Sequence, residues 1–156
     1  MKFWDASAVV PLLMEEETSA AVTALRQADP TMVVAWLTMV ECASAIARAE
    51  HDQALDQSEA AAAFTRLDDL ARSWTEVEPT IDLRDISRRL LRAYRLRAGD
   101  AIQLASATLA AERRPATLEL VTLDDRLETA ALKEGFEVIF PGRQSPNASS
   151  TSSDSD

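Results

Sequence analysis

The sequence predicts an α/β fold, a three-layer α/β/α sandwich around a central, mostly parallel sheet. Short apolar runs rich in β-branched and aromatic residues alternate along the chain with longer alanine-rich stretches of helical periodicity. Such alternation favours parallel strand pairing, because the helices serve as the crossovers between strands. The 156 residues, 47% of them hydrophobic, suffice for one compact domain, and no internal repeat divides the chain.

Four short apolar runs are predicted as strands, at residues 2–10, 32–36, 118–122 and 136–140. Between them, six stretches are predicted as helices, at residues 19–27, 38–50, 58–74, 83–96, 101–112 and 126–134. We expect residues 1–141 to form the domain. Residues 142–156, rich in serine and ending in acidic residues, are expected to be a disordered tail, because they have too few apolar residues to offset the entropy of ordering.

The cysteine and histidine content restricts the chemistry. Cys42 is the only cysteine and His51 the only histidine, so the chain forms no internal disulfide and no ordinary Cys/His zinc site. A two-histidine ribonuclease mechanism is excluded by the same count. We expect no membrane span and no secretory signal, and hence a soluble, cytoplasmic protein.

The net charge of −10 argues against generic binding to a polyanion, which is driven largely by Lys and Arg displacing counterions. With three glycines in all, the chain also carries neither a phosphate-binding P-loop nor a dinucleotide fingerprint.

Four acids fall near the carboxyl ends of predicted strands or at the start of a helix. Asp5 lies within the first apolar run, Glu41 follows the second strand, Asp100 opens a helix after Gly99, and Asp124 follows the strand at 118–122. In an open parallel sheet, ligands bind beyond the carboxyl ends of the strands. We therefore expect these four carboxylates to converge on one edge of the sheet.

Capping is the alternative role for three of these acids. Thr38 and Glu41 have the spacing of a capping box, and Asp100 has the position of a helix cap. Either Asp124 or Asp125 could also cap the last helix. Asp5 differs, because a carboxylate in an apolar run is costly to bury without a partner.

Converging carboxylates need protons or a cation to offset their repulsion, which is roughly 3 kcal/mol for one pair about 5 Å apart at an effective dielectric of about 20. Oxygen-only ligands suit a hard cation, Mg²⁺ or Mn²⁺, rather than zinc. Such a site activates water for attack on a phosphodiester.

The order and context of the acids resemble the PIN-domain nucleases, and within them the VapC-like toxins. The resemblance covers about residues 1–141. The matching stretches are Phe3-Trp4-Asp5-Ala6-Ser7-Ala8-Val9-Val10, Thr38-Met39-Val40-Glu41, Leu96-Arg97-Ala98-Gly99-Asp100-Ala101-Ile102-Gln103-Leu104-Ala105 and Leu120-Val121-Thr122-Leu123-Asp124-Asp125-Arg126-Leu127. The resemblance implies a PIN-type sandwich, the four acids as ligands of Mg²⁺ or Mn²⁺, and RNA as the substrate. It also implies a small antitoxin protein as partner, and a homodimer.

By the same resemblance, Ser7, Thr122 and Asp125 would orient the ligand carboxylates. The alternative for Ser7 and Thr122 is that each is an ordinary strand-end hydroxyl. Gln103 departs from the pattern, since the family usually has an apolar residue there. The adjacent pair Asp124-Asp125 leaves open which acid faces the metal, and we favour Asp124 because it follows the strand directly.

A basic stripe is predicted on the helix at 83–96, where Arg84, Arg88, Arg92 and Arg95 recur at helical spacing. It is either an ordinary solvated face, balanced by acids such as Asp85, or an RNA-binding track that leads towards Asp100.

The prediction is therefore a metal-dependent endoribonuclease, the toxin of a toxin–antitoxin pair. The alternatives are a PIN-like RNA-processing nuclease without an antitoxin, and a non-catalytic PIN-fold binding module in which the acids serve as caps.

Overall fold

A computed structural model describes residues 1–143 of the chain. Its core is a five-stranded sheet of order β3-β2-β1-β4-β5, in which every neighbouring pair is parallel. The strands are β1 Lys2–Trp4, β2 Met32–Ala35, β3 Thr75–Val77, β4 Glu119–Val121 and β5 Glu137–Ile139. The helices are α1 Ala6–Val9, α2 Ser19–Ala28, α3 Thr38–His51, α4 Gln57–Ala71, α5 Ile81–Ala93, α6 Ala98–Ala110 and α7 Asp125–Glu134. Single 3₁₀ turns occupy Val10–Leu12 and Pro115–Thr117.

Helices cover both faces of the sheet. Successive residues of β1 point to opposite faces, so Phe3 packs with apolar side chains of α5, α6 and α7, while Trp4 packs with those of α1 to α4. Both aromatic side chains are fully buried. Two separate apolar cores therefore sandwich the sheet, and the predicted α/β/α fold class is confirmed.

The predicted first strand, residues 2–10, is wrong beyond Trp4. The Asp5 side chain accepts a hydrogen bond from the backbone N–H of Ser7 and caps α1, which begins at Ala6. The apolar residues that suggested a longer strand are the buried face of this short helix. Asp5 thus lies at the end of β1, where the chain turns.

A fifth strand, β3, was not predicted. Only three residues long, it pairs on one side with β2, and its side chains are only partly buried. Such an edge strand has too short an apolar pattern to be distinguished from a loop. The helix predicted at 58–74 accordingly ends earlier, at Ala71.

Helix α5 is displaced from its predicted bounds. Thr80 caps it by accepting a hydrogen bond from the Leu83 N–H at 3.1 Å, and the helix ends at Ala93 rather than at residue 96. Arg95 therefore lies beyond the helix that carries the rest of the predicted basic stripe.

Within residues 1–143, no helix is both long and apolar enough to cross a membrane. The predicted tail, 142–156, lies outside the described residues from position 144 onwards. Residues 142 and 143 of the predicted tail are described, and Arg143 pairs with Asp125 and Glu128 at the start of α7.

Candidate active site

Strand order determines where the site forms. β1 is the central strand, with β2 and β4 on either side of it, so the carboxyl ends of these three strands lie side by side. Asp5 follows β1, α3 begins just after β2, and Thr122 follows β4. A cleft of about 390 Å³ lies there, lined by all four predicted acids, Asp5, Glu41, Asp100 and Asp124. The structure thus brings together carboxylates that are far apart in the sequence.

Asp5 is the most deeply placed of these acids, with 5% of its surface exposed. Its Oδ2 accepts hydrogen bonds from the hydroxyls of Ser7 and Thr122, the latter at 2.9 Å. Burial raises the pKa of Asp5 to about 6, and the hydrogen bonds from Ser7 and Thr122 only partly oppose that rise. The negative charge of Glu41 raises the pKa further. An ionised Asp5 is therefore costly in the folded protein, and a nearby cation would offset that cost.

Ser7 and Thr122 connect Asp5 to the chain beyond β4. The Ser7 hydroxyl accepts from the Leu123 N–H at 2.8 Å, and the Thr122 hydroxyl accepts from the Asp124 N–H at 3.0 Å. Each hydroxyl therefore donates to one carboxylate and accepts from backbone that leads into α7. These contacts are of the kind expected of residues that orient a ligand carboxylate.

Glu41 does not cap α3, so the capping-box interpretation of Thr38 and Glu41 is wrong. The residue before the helix is Leu37, which makes no side-chain cap. Glu41 Oε2 instead accepts a hydrogen bond of 2.6 Å from Gln103 Nε2 on α6. Partial burial raises the pKa of Glu41 above its ordinary value, Gln103 lowers it, and the charge of Asp100 raises it.

Gly99 gives the Glu41 carboxylate room. A Cβ atom built on Gly99 would lie 2.5 Å from Glu41 Oε1, well inside contact distance. Any larger residue at position 99 would have to push the carboxylate aside.

Asp100 and Asp124 do take part in helix starts, as the capping alternative proposed. Asp100 Oδ2 accepts from the Arg97 N–H at 2.8 Å, and Asp124 Oδ1 accepts from the N–H groups of Arg126 and Leu127 at 2.7 and 3.1 Å. Each of these interactions uses one of the two carboxylate oxygens. Capping therefore does not prevent either residue from also facing the cleft.

The adjacent acids Asp124 and Asp125 point to different places. Asp124 caps α7 and lines the cleft, whereas the exposed Asp125 side chain pairs with Arg143. The alternative in which Asp125 is the helix cap is therefore wrong. Asp125 is also not among the residues that line the cleft, and its ion pair points to a role at the helix surface.

The donor set consists of carboxylates and hydroxyls, which fits a hard divalent cation. In residues 1–143, however, no three Asp, Glu, His or Cys side chains lie close enough together to hold one ion as they stand. Like charges around one cleft repel each other, which favours side-chain positions that keep the carboxylates apart. Binding of an ion would therefore require at least some of these side chains to move inward.

Three residues at or beside the cleft were missed as site residues: Arg48, Ser44 and Gln103. Arg48 lines the cleft and lies on α3, one turn after Ser44 and two turns after Glu41. Its guanidinium donates a hydrogen bond of 2.8 Å to the Ser44 hydroxyl. Ser44 follows Glu41 by three residues and Arg48 follows Ser44 by four, so both share a helix face with Glu41. This spacing could have revealed them from the sequence. Gln103 was noticed only as a departure from the family pattern.

The predicted basic stripe lies elsewhere. Arg84, Arg88 and Arg92 are exposed on α5, and none of them is among the cleft-lining residues. Arg88 lies 3.9 Å from Asp85, and the neighbouring Arg89 forms a two-armed ion pair with Glu134. Arg84 and Arg88 instead line a second cavity, of about 520 Å³, together with Ala98 and Ile102 of α6, the helix that also carries Asp100.

The fold and the acidic cleft define an α/β nuclease-like domain, and comparison with known proteins gives the family. A sequence model of the PIN domain matches residues 2–133, and the chain belongs to the PIN-domain family. That range contains all four acids of the cleft. The resemblance drawn from the sequence is thereby confirmed.

Two curated relatives from Mycobacterium tuberculosis, ribonuclease VapC45 and ribonuclease VapC49, are each 32% identical to this chain over 136 residues. The alignment covers 87% of this chain and 92% of each relative. This identity over nearly the whole length places the chain close to the VapC ribonucleases within its family.

Solved structures share the fold. A toxin–antitoxin complex from Klebsiella pneumoniae aligns with a TM-score of 0.62 and 20% identity, and FitAcB from Neisseria gonorrhoeae with 0.63 and 18%. Each alignment covers 90% of this chain and 98% of the other. PAE2754 from Pyrobaculum aerophilum aligns at 0.56 with 24% identity, over 85% of this chain and 93% of the other. At these identities the likeness concerns the fold alone.

Proposed function

We propose that this chain is a divalent-metal-dependent endoribonuclease and the toxin of a toxin–antitoxin pair. The observation that carries the proposal is the convergence of four carboxylates from distant segments on one cleft, including the buried Asp5. A buried carboxylate among other acids is destabilising unless a cation compensates it. The names of the two mycobacterial relatives support RNA as the substrate.

Asp5, Glu41, Asp100 and Asp124 would hold one or two Mg²⁺ or Mn²⁺ ions. A bound ion of this kind supplies an activated water and offsets the charge that develops on the phosphodiester. The role of the chain is to hold the carboxylates in place. Ser7 and Thr122 do so for Asp5 through their hydrogen bonds to its Oδ2.

Arg48 would bind a phosphate of the RNA at the cleft. It is the one cation among the cleft-lining residues, and within residues 1–143 its guanidinium pairs with no carboxylate. Arginine is suited to this task because its planar donors match phosphate oxygens. A positive group at this position would also offset the repulsion between the acidic protein and its substrate, which the net charge of −10 makes severe.

We expect Arg48→Ala to weaken RNA binding and to reduce the slope of log affinity against log salt by about one, because one phosphate contact is lost. Mn²⁺ binding should be unchanged. The measurement is RNA binding over a salt series, with Arg72→Ala as the control, since Arg72 is equally charged but pairs with Asp69 outside the cleft.

The same salt series on a triple variant with Arg84, Arg88 and Arg92 reversed to Glu tests whether the α5 stripe also binds RNA. If the slope of log affinity against log salt falls for the triple variant but not for Arg48→Ala, RNA binds along α5 rather than at Arg48 in the cleft.

Metal dependence is the direct test of the proposed activity. RNA cleavage by the purified protein should stop when a chelator is added and return when excess Mn²⁺ is restored. Undiminished cleavage in excess chelator would overturn the proposal, because the proposed reaction requires a bound divalent cation. The single histidine already excludes a two-histidine mechanism that needs no metal.

The toxin role further implies a small antitoxin protein, a homodimer and a cytoplasmic location. Expression of the wild type should arrest growth, Asp5→Asn should not, and a small protein encoded by a neighbouring reading frame should relieve the arrest. Cleavage without growth arrest would favour the RNA-processing alternative. Failure to bind Mn²⁺ at all would favour the non-catalytic binding module.

A further inference from the structure

Gln103 is a buried amide on the largely apolar inner side of α6. Its surface is 1% exposed, and its neighbours Ala101, Leu104, Ala105 and Ala107 are fully buried apolar residues. Its Nε2 donates to Glu41 Oε2 at 2.6 Å and to Thr38 Oγ1 at 3.0 Å. Thr38 is itself fully buried, and both partners are on α3. An amide in such surroundings must satisfy its hydrogen bonds within the protein.

We infer that Gln103 is a positioning residue that holds the Glu41 carboxylate at the cleft for a divalent cation, an inference that rests on the proposed function. Glu41 has a long, flexible side chain and no capping role to restrain it. Gln103 binds one of its oxygens, and the open space at Gly99 accommodates the other. The hydrogen bond from Gln103 therefore restrains one carboxylate oxygen, while Gly99 leaves room for the other.

The chemistry of the amide suits this task better than that of a basic residue. A Lys or Arg at position 103 would neutralise Glu41 and compete with a cation for it, whereas a neutral N–H donor orients the carboxylate and leaves its charge available. Thr38 in turn orients Gln103, since its hydroxyl accepts from the amide nitrogen and lies 3.4 Å from the amide oxygen. Thr38 therefore orients Gln103, and Gln103 orients Glu41.

A nearly isosteric apolar replacement isolates the amide. Gln103→Met keeps the buried volume and removes the donor. We expect the Mn²⁺ dissociation constant, measured by titration calorimetry, to rise about 10- to 100-fold, the usual effect of removing a group that orients a metal ligand. Ser106→Ala is the matched control, because Ser106 is a fully buried polar residue of α6 that bonds within its own helix, to the carbonyl of Ile102. Its Mn²⁺ affinity should equal that of the wild type.

The double variant Thr38→Val/Gln103→Met separates positioning from stability. Gln103→Met alone leaves the Thr38 hydroxyl unpaired, and removing both polar groups restores a fully apolar contact. We expect the double variant to regain the melting temperature of the wild type but not its Mn²⁺ affinity. Recovery of both would show that Gln103 acts only on stability and would overturn the inference.

Glu41→Gln distinguishes failure of this inference from failure of the proposed function. If the wild type and Glu41→Gln bind Mn²⁺ equally, the proposed site is wrong. If Glu41→Gln binds weakly while Gln103→Met and the double variant bind like the wild type, the site is right and the positioning role of Gln103 is wrong.

Discussion

Replacement of Asp5 by Asn is expected to abolish RNA cleavage and to leave the metal-free protein more stable than the wild type. The Asp5 carboxylate is buried and its pKa is raised, chiefly by desolvation, so its ionised form opposes folding at neutral pH. A neutral amide of the same shape removes that cost, which we place at about 1 to 3 kcal/mol. The hydroxyls of Ser7 and Thr122 can still pair with the amide oxygen.

Added Mg²⁺ should reverse the order of stability. The ion binds the folded wild type and stabilises it by mass action, whereas the variant lacks a ligand and gains less. Asp100→Asn should lose cleavage in the same way, with little change in metal-free stability, because the amide oxygen of Asn can accept the same hydrogen bond from the Arg97 N–H. The measurement is thermal unfolding in chelator and in Mg²⁺, together with a cleavage assay.

Asp56→Asn is the control for these two variants. Asp56 caps α4 by accepting from the Glu59 N–H at 2.8 Å and is not among the cleft-lining residues, so its replacement should change neither cleavage nor the response to Mg²⁺. Retained cleavage in Asp5→Asn or Asp100→Asn, or equal stabilisation of variants and wild type by Mg²⁺, would remove these aspartates from the proposed ligand set.

Gly99→Ala is expected to keep or raise the stability of the protein while it lowers metal affinity and RNA cleavage. Position 99 lies within α6, where alanine is favoured over glycine by up to about 1 kcal/mol. The new methyl group would meet Glu41 Oε1, and the flexible end of Glu41 can move aside at little cost. We expect unchanged or higher thermal stability without metal, but a loss of Mn²⁺ affinity and cleavage on the order of 10- to 100-fold.

Gly135→Ala provides the contrasting control. Gly135 ends α7 with a left-handed φ of 94°, where a side chain costs about 1 kcal/mol, and it lies outside the cleft. This variant should lose stability and keep its Mn²⁺ affinity. If Gly99→Ala instead binds Mn²⁺ like the wild type, Glu41 is not held where we propose.

Local sequence patterns predicted the layers of the fold better than the ends of its elements. The alternation of apolar and alanine-rich segments predicted the sandwich, because parallel strands and crossover helices must each bury a face. The pattern failed at residues 5–10, where four helical residues follow β1 without a change in apolar content. It failed again at β3, because three residues form too short a pattern to be recognised as a strand without the pairing partner β2.

The sequence by itself indicated which side chains could reach the candidate site. Asp5 comes directly after β1 and Asp124 shortly after β4, and these two strands lie side by side. The sequence also predicted the chemistry of the site, because carboxylates without histidine or cysteine suit a hard cation. Only the tertiary structure placed Asp124, and not Asp125, among the residues that line the cleft, and only it paired Glu41 with Gln103, 62 residues away. The physical reason is that a side chain's neighbours across two packed helices depend on how the helices pack, which no local spacing records.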